Sequence, residues 1–221
     1  MFIEKIKMVY DPNVPIFTKE ILKLFPEFSR SYIFKLIEKS EKKGELAKFS
    51  SGVYFIPTET VLGPSTIVAD MVAEKKYVKD SNDVYGVYSG VTLLNKFSVT
   101  TQVPNVIEIV TNNETTRRRE VDIDGRKFIL RKSNFKINSK NYNTYTILQL
   151  FSDLKIGEKL NLFAKSSIVE YIKNNNITQR DLLSYAIYFP SRTINSLLRS
   201  EILSEIDWNK KQHQTMLFLY V

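Results

Sequence analysis

The chain predicts an α+β fold: an N-terminal unit of three helices and a β-ribbon, then a larger mixed domain with a small antiparallel sheet and a C-terminal helical part. Three observations predict it. Apolar residues recur at helical spacing through the N-terminal stretch. The pattern turns to strand-like runs in "VIEIVT", "RRREVDI" and "RKFILRK". From Thr144 onward it returns to helical spacing.

The first helix is expected over Phe2–Tyr10, with Phe2, Ile6 and Val9 along one side and Asp11-Pro12 ending it. The second runs Thr18–Phe25. Thr18 is its expected N-cap, Ile21, Leu22 and Phe25 form its buried stripe, and Pro26 stops it. The third starts from Ser29 as N-cap. Ile33, Leu36 and Ile37 fall on one face, while Ser31, Lys35, Glu38 and Lys42 lie opposite with Tyr32 and Lys39 on the flank. Gly44 ends it. "ELAKF" and "GVYFI" then read as paired strands about a turn at Ser50-Ser51-Gly52.

"PTETVLGPS", Pro57–Ser65, interrupts the apolar pattern with two prolines and a glycine, and is the expected joint. The expected domains are therefore 1–58 and 64–210, with 211–221 an apolar-ended tail to which no role is assigned. After the joint a helix is expected from Pro64 to about Tyr77, and a short one over Ser89–Phe97. Asn112-Asn113 and Asp124-Gly125 are turn signals between the strands. The closing helices are Thr144–Leu154, Leu162–Asn174, Thr178–Phe189 and Ser191–Ile206, with Thr178 and Ser191 as N-caps.

Composition narrows function. The chain has 221 residues and no cysteine, which removes disulfides, thiolate metal sites and cysteine nucleophiles. With one histidine, His213, a histidine-based triad or multi-histidine metal site lacks its parts. No apolar run approaches the roughly 20 residues that cross a bilayer. The charges within "MFIEKIKMVYDP" do not suit a signal peptide, so a cytoplasmic protein without a membrane partner is expected.

The formal net charge of +8 suggests attraction to a polyanion, and its distribution is local. One concentration is Arg30, Lys35, Lys39, Lys42, Lys43 and Lys48, against Glu38, Glu41 and Glu45. The other holds Arg117, Arg118, Arg119, Arg126, Lys127, Arg131 and Lys132, continuing to Lys136 and Lys140.

Three helices followed by a hairpin describe a winged helix-turn-helix. The first turns of such a third helix reach base edges in the major groove. Here they present Arg30, Ser31, Tyr32 and Lys35. Arginine can bond guanine bidentately, serine can read any base pair, and tyrosine suits a phosphate or a thymine methyl. Lys39 and Lys42, further along, are expected phosphate contacts; Lys48, Ser50 and Ser51 lie on or near the wing. The alternative is a protein- or RNA-interaction module using the same scaffold, since any solvated helix carries lysines and Glu38 and Glu41 do not help DNA binding.

In a strand, Arg117 and Arg119 share one face and Arg118 the other. That row could meet phosphates, RNA or an acidic partner, or serve as a charged edge that discourages sheet aggregation. "DID", Asp122–Asp124, reads as part of a hairpin turn at Asp124-Gly125, with Asp122 roughly opposite Lys127. No phosphate loop, paired catalytic carboxylates or nucleophile elbow remains, so no enzymatic activity and no cofactor is expected. "LFPEFSRSYIFKLI" and "YFPSRTINSLLR" share an order of helix, Phe-Pro, Ser-Arg, helix. An ordinary helix hairpin is the expected reading of the second, because no wing follows it. Trp208 and His213 are too isolated for a role.

The wing "SSGVYFIP", with Gly52-Val53-Tyr54, and the segment "SGVTLLNKFSVTTQVP", Ser89–Pro104, carry a resemblance together with the arginine-rich strand and "DGRKFILRK". In their order and spacing over residues 10–200 the chain resembles the AbiEi family, the antitoxins and transcriptional regulators of abortive-infection type IV toxin–antitoxin systems. The resemblance implies a bacterial autorepressor whose winged helix binds inverted repeats in its own promoter. It also implies a C-terminal domain that opposes a nucleotidyltransferase-like toxin without needing a stable complex. The terminal "DWNKKQHQTMLFLYV" departs from that family. A monomer in solution that pairs on DNA is expected, since the net charge disfavours self-association.

Overall fold

The computed structural model describes residues 2–81, 83–155 and 160–206. Trp208, His213 and the tail 211–221 lie outside the described residues. The chain forms two compact units: Met1–Lys76 with Asp122–Arg126, and Tyr77–Val121 with Lys127–Val221.

The first unit contains α1 (Phe2–Val9), β1 (Ile16–Phe17), α2 (Thr18–Leu24), α3 (Arg30–Lys42), β2 (Ala47–Ser50), β3 (Val53–Phe55), the small hairpin β4 (Glu59–Thr60) and β5 (Gly63–Pro64), and α4, which spans Ala69–Tyr77. Three strands pair in the order β1-β3-β2, all antiparallel. Register places Ile16 opposite Tyr54 and Ala47 opposite Phe55, with a bulge between Lys48 and Ser50. Ile3, Ile6, Ile16, Ile21, Phe25, Ile33, Ile37, Leu46, Tyr54 and Ile56 form one buried cluster. Burying an Ile side chain contributes about 1.5–3 kcal/mol, so Ile33 and Ile37 fix α3 by packing and leave its outward residues free to serve another purpose.

Val53 and Phe55 pack on a second cluster with Ile67 and Val72, bordered by Phe17, Ala47, Phe49 and Ile123. This is why the first unit runs past the proline-rich joint to residue 76. Lys75 adds an ionic tie. Buried within the unit, its Nζ donates to the Pro15 carbonyl at 2.7 Å and pairs with Glu20 at 3.0 Å, lying 5.0 Å from the Tyr10 ring centre.

The elements that follow are β6 (Lys79–Asp80), β7 (Asp83–Val84), β8 (Gly86–Ser89), α5 (Gly90–Lys96), β9 (Ile107–Thr111), β10 (Arg119–Ile123), β11 (Arg126–Lys132), α6 (Tyr142–Asp153), α7 (Leu162–Asn174), α8 (Gln179–Ala186) and α9 (Ser191–Arg199), with helical backbone again over 202–206; all belong to the second unit except the hairpin tip Asp122–Arg126. The four-stranded sheet has the order β10-β11-β9-β8. β8 and β9 are antiparallel, whereas β11 runs parallel to β9 with Phe128 opposite Ile107. α6 is the centre of the helical part, buried from Thr144 to Phe151, with α7, α8 and α9 packed on it.

The α+β class and the small antiparallel sheets are as the sequence predicts, with one parallel pair inside the larger sheet. There are four local differences, and hydrogen bonding explains the first two. Thr18 does not cap α2. Phe17 occupies that position, its N–H bonded to Glu20 at 2.6 Å, while Thr18 Oγ1 donates to the Gly52 carbonyl at 3.2 Å. α4 begins at Ala69 rather than Pro64 because Ser65 is held elsewhere: its Oγ accepts from the Thr58 N–H at 2.8 Å and its N–H returns to the Thr58 carbonyl at 2.8 Å. Pro190, not Ser191, precedes the first turn of α9. The arginine-rich strand starts at Arg119, leaving Arg117 and Arg118 ahead of it.

The segment from Ser89 to Pro104 is held by bonds to α6 and by bonds of its own. The Asp153 carboxylate accepts from Ser89 Oγ at 2.9 Å, the Gly90 N–H at 2.7 Å and Gln149 Nε2 at 2.9 Å. Asn95 Nδ2 donates to the carbonyls of Thr100 and Gln102 at 3.3 and 3.2 Å. Burial raises the Asp153 pKa against the opposing pull of those donors.

Candidate nucleic-acid interface

α3 begins where Ser29 Oγ accepts from the Tyr32 N–H at 3.3 Å, and the chain leaves it through Gly44 at φ +69°. A Cβ at that φ is strained, so glycine suits the stop. Ile33, Ile37 and Ser40 point inward. Arg30, Ser31, Tyr32, Lys35, Lys39 and Lys42 are all exposed. At 100° per residue, Ser31, Lys35, Glu38 and Lys42 mark the middle of the outward face, with Arg30 and Tyr32 on opposite sides.

The neighbours of these groups temper their charge. Lys42 Nζ donates to Glu38 at 2.7 Å, one turn back, which lowers the Glu38 pKa and raises that of Lys42. The Arg30 guanidinium lies 5.7 Å from the Phe34 ring centre, and Tyr32 meets the Phe28 ring edge-on at 5.1 Å. Phe28, at i−4 of Tyr32, and Phe34, at i+4 of Arg30, thus belong to the α3 surface, and helical spacing alone makes them legible as neighbours of those residues.

Beside α3, the β2–β3 ribbon carries Lys48 and Ser51 exposed and Ser50 half-buried. Gly52 turns it at φ +77°. Its carbonyl accepts from both the Thr18 N–H at 2.9 Å and Thr18 Oγ1, so the ribbon's turn is tied to the start of α2. A Cβ on Gly52 would stand 3.3 Å from Thr18 Oγ1. The ribbon is tied to α2 by these bonds, and its Tyr54 shares the buried cluster of Ile33 and Ile37 from α3.

The second basic group is differently placed. Arg119 Nε bonds the buried Glu114 at 2.6 Å, Arg118 pairs with Glu120 at 2.8 Å, and Arg131 with Glu108 at 2.7 Å. Arg126 Nε lies 3.4 Å from Asp70, close enough for an ion pair but not aligned for a hydrogen bond. Arg117, Lys127 and Lys132 are exposed. The seven cations therefore do not present one surface of uncompensated charge. Asp124 and Gly125 both have positive φ, +51° and +78°, the turn the Asp-Gly pair predicts, and Asp122 Oδ1 accepts the Gly125 N–H at 2.8 Å.

Among the described residues no helix is long and apolar enough to cross a membrane, and no group of three or more His, Cys, Asp or Glu could hold a metal ion. Nothing among the curated proteins matches the chain. Residues 5–179 match DUF6088, a family of unknown function. That span takes in α1's last turns through the start of α8, and the chain belongs to the DUF6088 family.

Proposed function

We propose that residues 1–58 form the core of a winged helix-turn-helix that binds duplex DNA, and that the protein is a cytoplasmic antitoxin and autorepressor of a type IV, AbiE-like toxin–antitoxin operon. α3 is the recognition helix and β2–β3 the wing. The observation that carries the reading is that Arg30, Ser31, Tyr32, Lys35 and Lys39 stand exposed on α3 while Lys48 and Ser51 are exposed on the ribbon whose Tyr54 packs in the same buried cluster as α3, with Ser50 half-buried beside them. An α-helix fits the major groove, and a ribbon fixed beside it suits the adjoining backbone. The chain pairs on inverted repeats in its own promoter, is otherwise monomeric, and opposes a nucleotidyltransferase-like toxin without enzymatic activity of its own.

The test is a mobility-shift titration of the full chain on its own upstream duplex across a salt series. Arg30→Ala with Lys35→Ala is expected to abolish the shift while the circular dichroism spectrum stays unchanged, because both side chains are exposed. Unchanged affinity in that double variant defeats the site assignment. The second reading, a protein- or RNA-interaction module, is favoured by one observation: Glu38 sits in the middle of the α3 face and holds Lys42. It predicts no salt-dependent shift on duplex DNA and binding to a protein or single-stranded RNA instead.

A further inference from the structure

α8 and α9 are two short helices, of eight and nine residues, joined by the four residues 187–190. Thr178 opens α8 with a reciprocal cap, its Oγ1 accepting from the Asp181 N–H at 3.1 Å while Asp181 accepts the Thr178 N–H at 2.9 Å. Phe189 is buried in the turn, and the Pro190 carbonyl accepts the Thr193 N–H at 2.8 Å as α9 begins. Leu182, Ala186, Thr193 and Leu197 face inward, and both helices pack on α6. Short helix, tight turn, short helix is the plan of a helix-turn-helix.

The outward face of α9 is chemically selective. At 100° per residue, Asn195, Arg199 and Arg192 fall within an arc of about 60°, opposite Thr193 and Leu197. All three are exposed, and α9 contains no carboxylate. Of the neighbouring acidic groups, Asp181 is engaged in its cap and Glu201 with Lys165 at 3.0 Å, while Glu205 follows six residues after Arg199. Arginine bonds guanine O6 and N7 bidentately, and asparagine does the same for adenine N6 and N7. We infer that α8–α9 is a second helix-turn-helix, with α9 reading duplex DNA through Arg192, Asn195 and Arg199. Apart from Gln179 the segment lies beyond the family match, which ends at residue 179, and it stands on a different compact unit from α3. It therefore does not rest on the α3 reading. Exposed Leu183, Ile187, Tyr188 and Leu198 flank the arc, which makes a protein partner the competing occupant.

The experiment measures fluorescence anisotropy of the full chain on two duplexes, its own upstream sequence and a scrambled one of equal composition, over a salt series. Replacing Arg192, Asn195 and Arg199 together by alanine is expected to weaken binding about tenfold or more and to flatten the slope of log K against log salt by about two, one unit for each lost cation. Arg192→Lys with Arg199→Lys keeps the charge but not the bidentate fork, so it is expected to keep the slope and lose discrimination between the duplexes. It also decides the matter if the alanine variant fails to fold. Wild-type affinity, slope and discrimination in these variants overturn the proposal, as does a loss seen only in binding to a protein. If Arg30→Ala with Lys35→Ala changes nothing while the α9 variants do, the α3 reading fails and this one stands. A wild-type chain that binds neither duplex ends both.

Discussion

Glu114 is 4% exposed, and its carboxylate accepts from the backbone of Thr115 and Thr116, the Thr116 hydroxyl and Arg119. Burial raises its pKa, but those donors together outweigh burial and bring it to about 2, from an ordinary 4.5. A carboxyl depressed by folding contributes stability that is present above about 4.5 and is lost as pH falls toward 2. Glu114→Gln is therefore expected to lower the urea midpoint at pH 6 and to make the loss between pH 5 and pH 3 shallower than in the wild type. Urea titrations at several pH values check this; parallel pH profiles for the two proteins would refute it. In the sequence Arg119 belongs to a row that could meet phosphates, RNA or an acidic partner, or serve as a charged edge. Glu114 precedes the strand by several residues, and only the fold around Thr115 and Thr116 brings the two together, so that pairing was not legible.

At the scale of elements, the legible ones carry local chemistry. Ser29 as cap, Gly44 as stop and the Asp124-Gly125 turn each satisfy a requirement within a few residues, and each stands where the sequence places it. β1 and β8 were missed because two to four residues give no period to read, and their existence depends on distant partners. β9 and β11 were themselves legible, but their parallel match was hidden because pairing between strands far apart in sequence leaves no local signal. Gly86 shows what such a partner demands. A Cβ there would meet the Tyr77 carbonyl oxygen at 2.0 Å and that of Val110 at 2.9 Å. Both obstacles are backbone, which cannot rotate aside. Gly86→Ala is expected to cost about 1–3 kcal/mol or more through forced backbone shifts, read as a lowered urea midpoint. An unchanged midpoint would mean β8 can move away from Tyr77 without penalty.

For the whole molecule, the candidate α3 surface was legible as a set of exposed residues because helical spacing alone separates Ile33 and Ile37 from Lys35 and Lys39. What spacing could not give was the extent of the unit supporting it. Val53 and Phe55 lean on Ile67 and Val72, and Lys75 closes over Glu20, all beyond the prolines that look like a boundary. A polypeptide ending at residue 58 keeps α3 and the ribbon but bares Val53 and Phe55 and strips Glu20 of its buried cation. Such a piece is expected to bind the dye ANS and to melt lower than the full chain; dye-negative, equally cooperative melting would show the support to be dispensable. Anyone dissecting this protein by truncation should cut no earlier than the end of α4, or a missing mobility shift will report a collapsed scaffold and leave the proposed DNA reading unprobed.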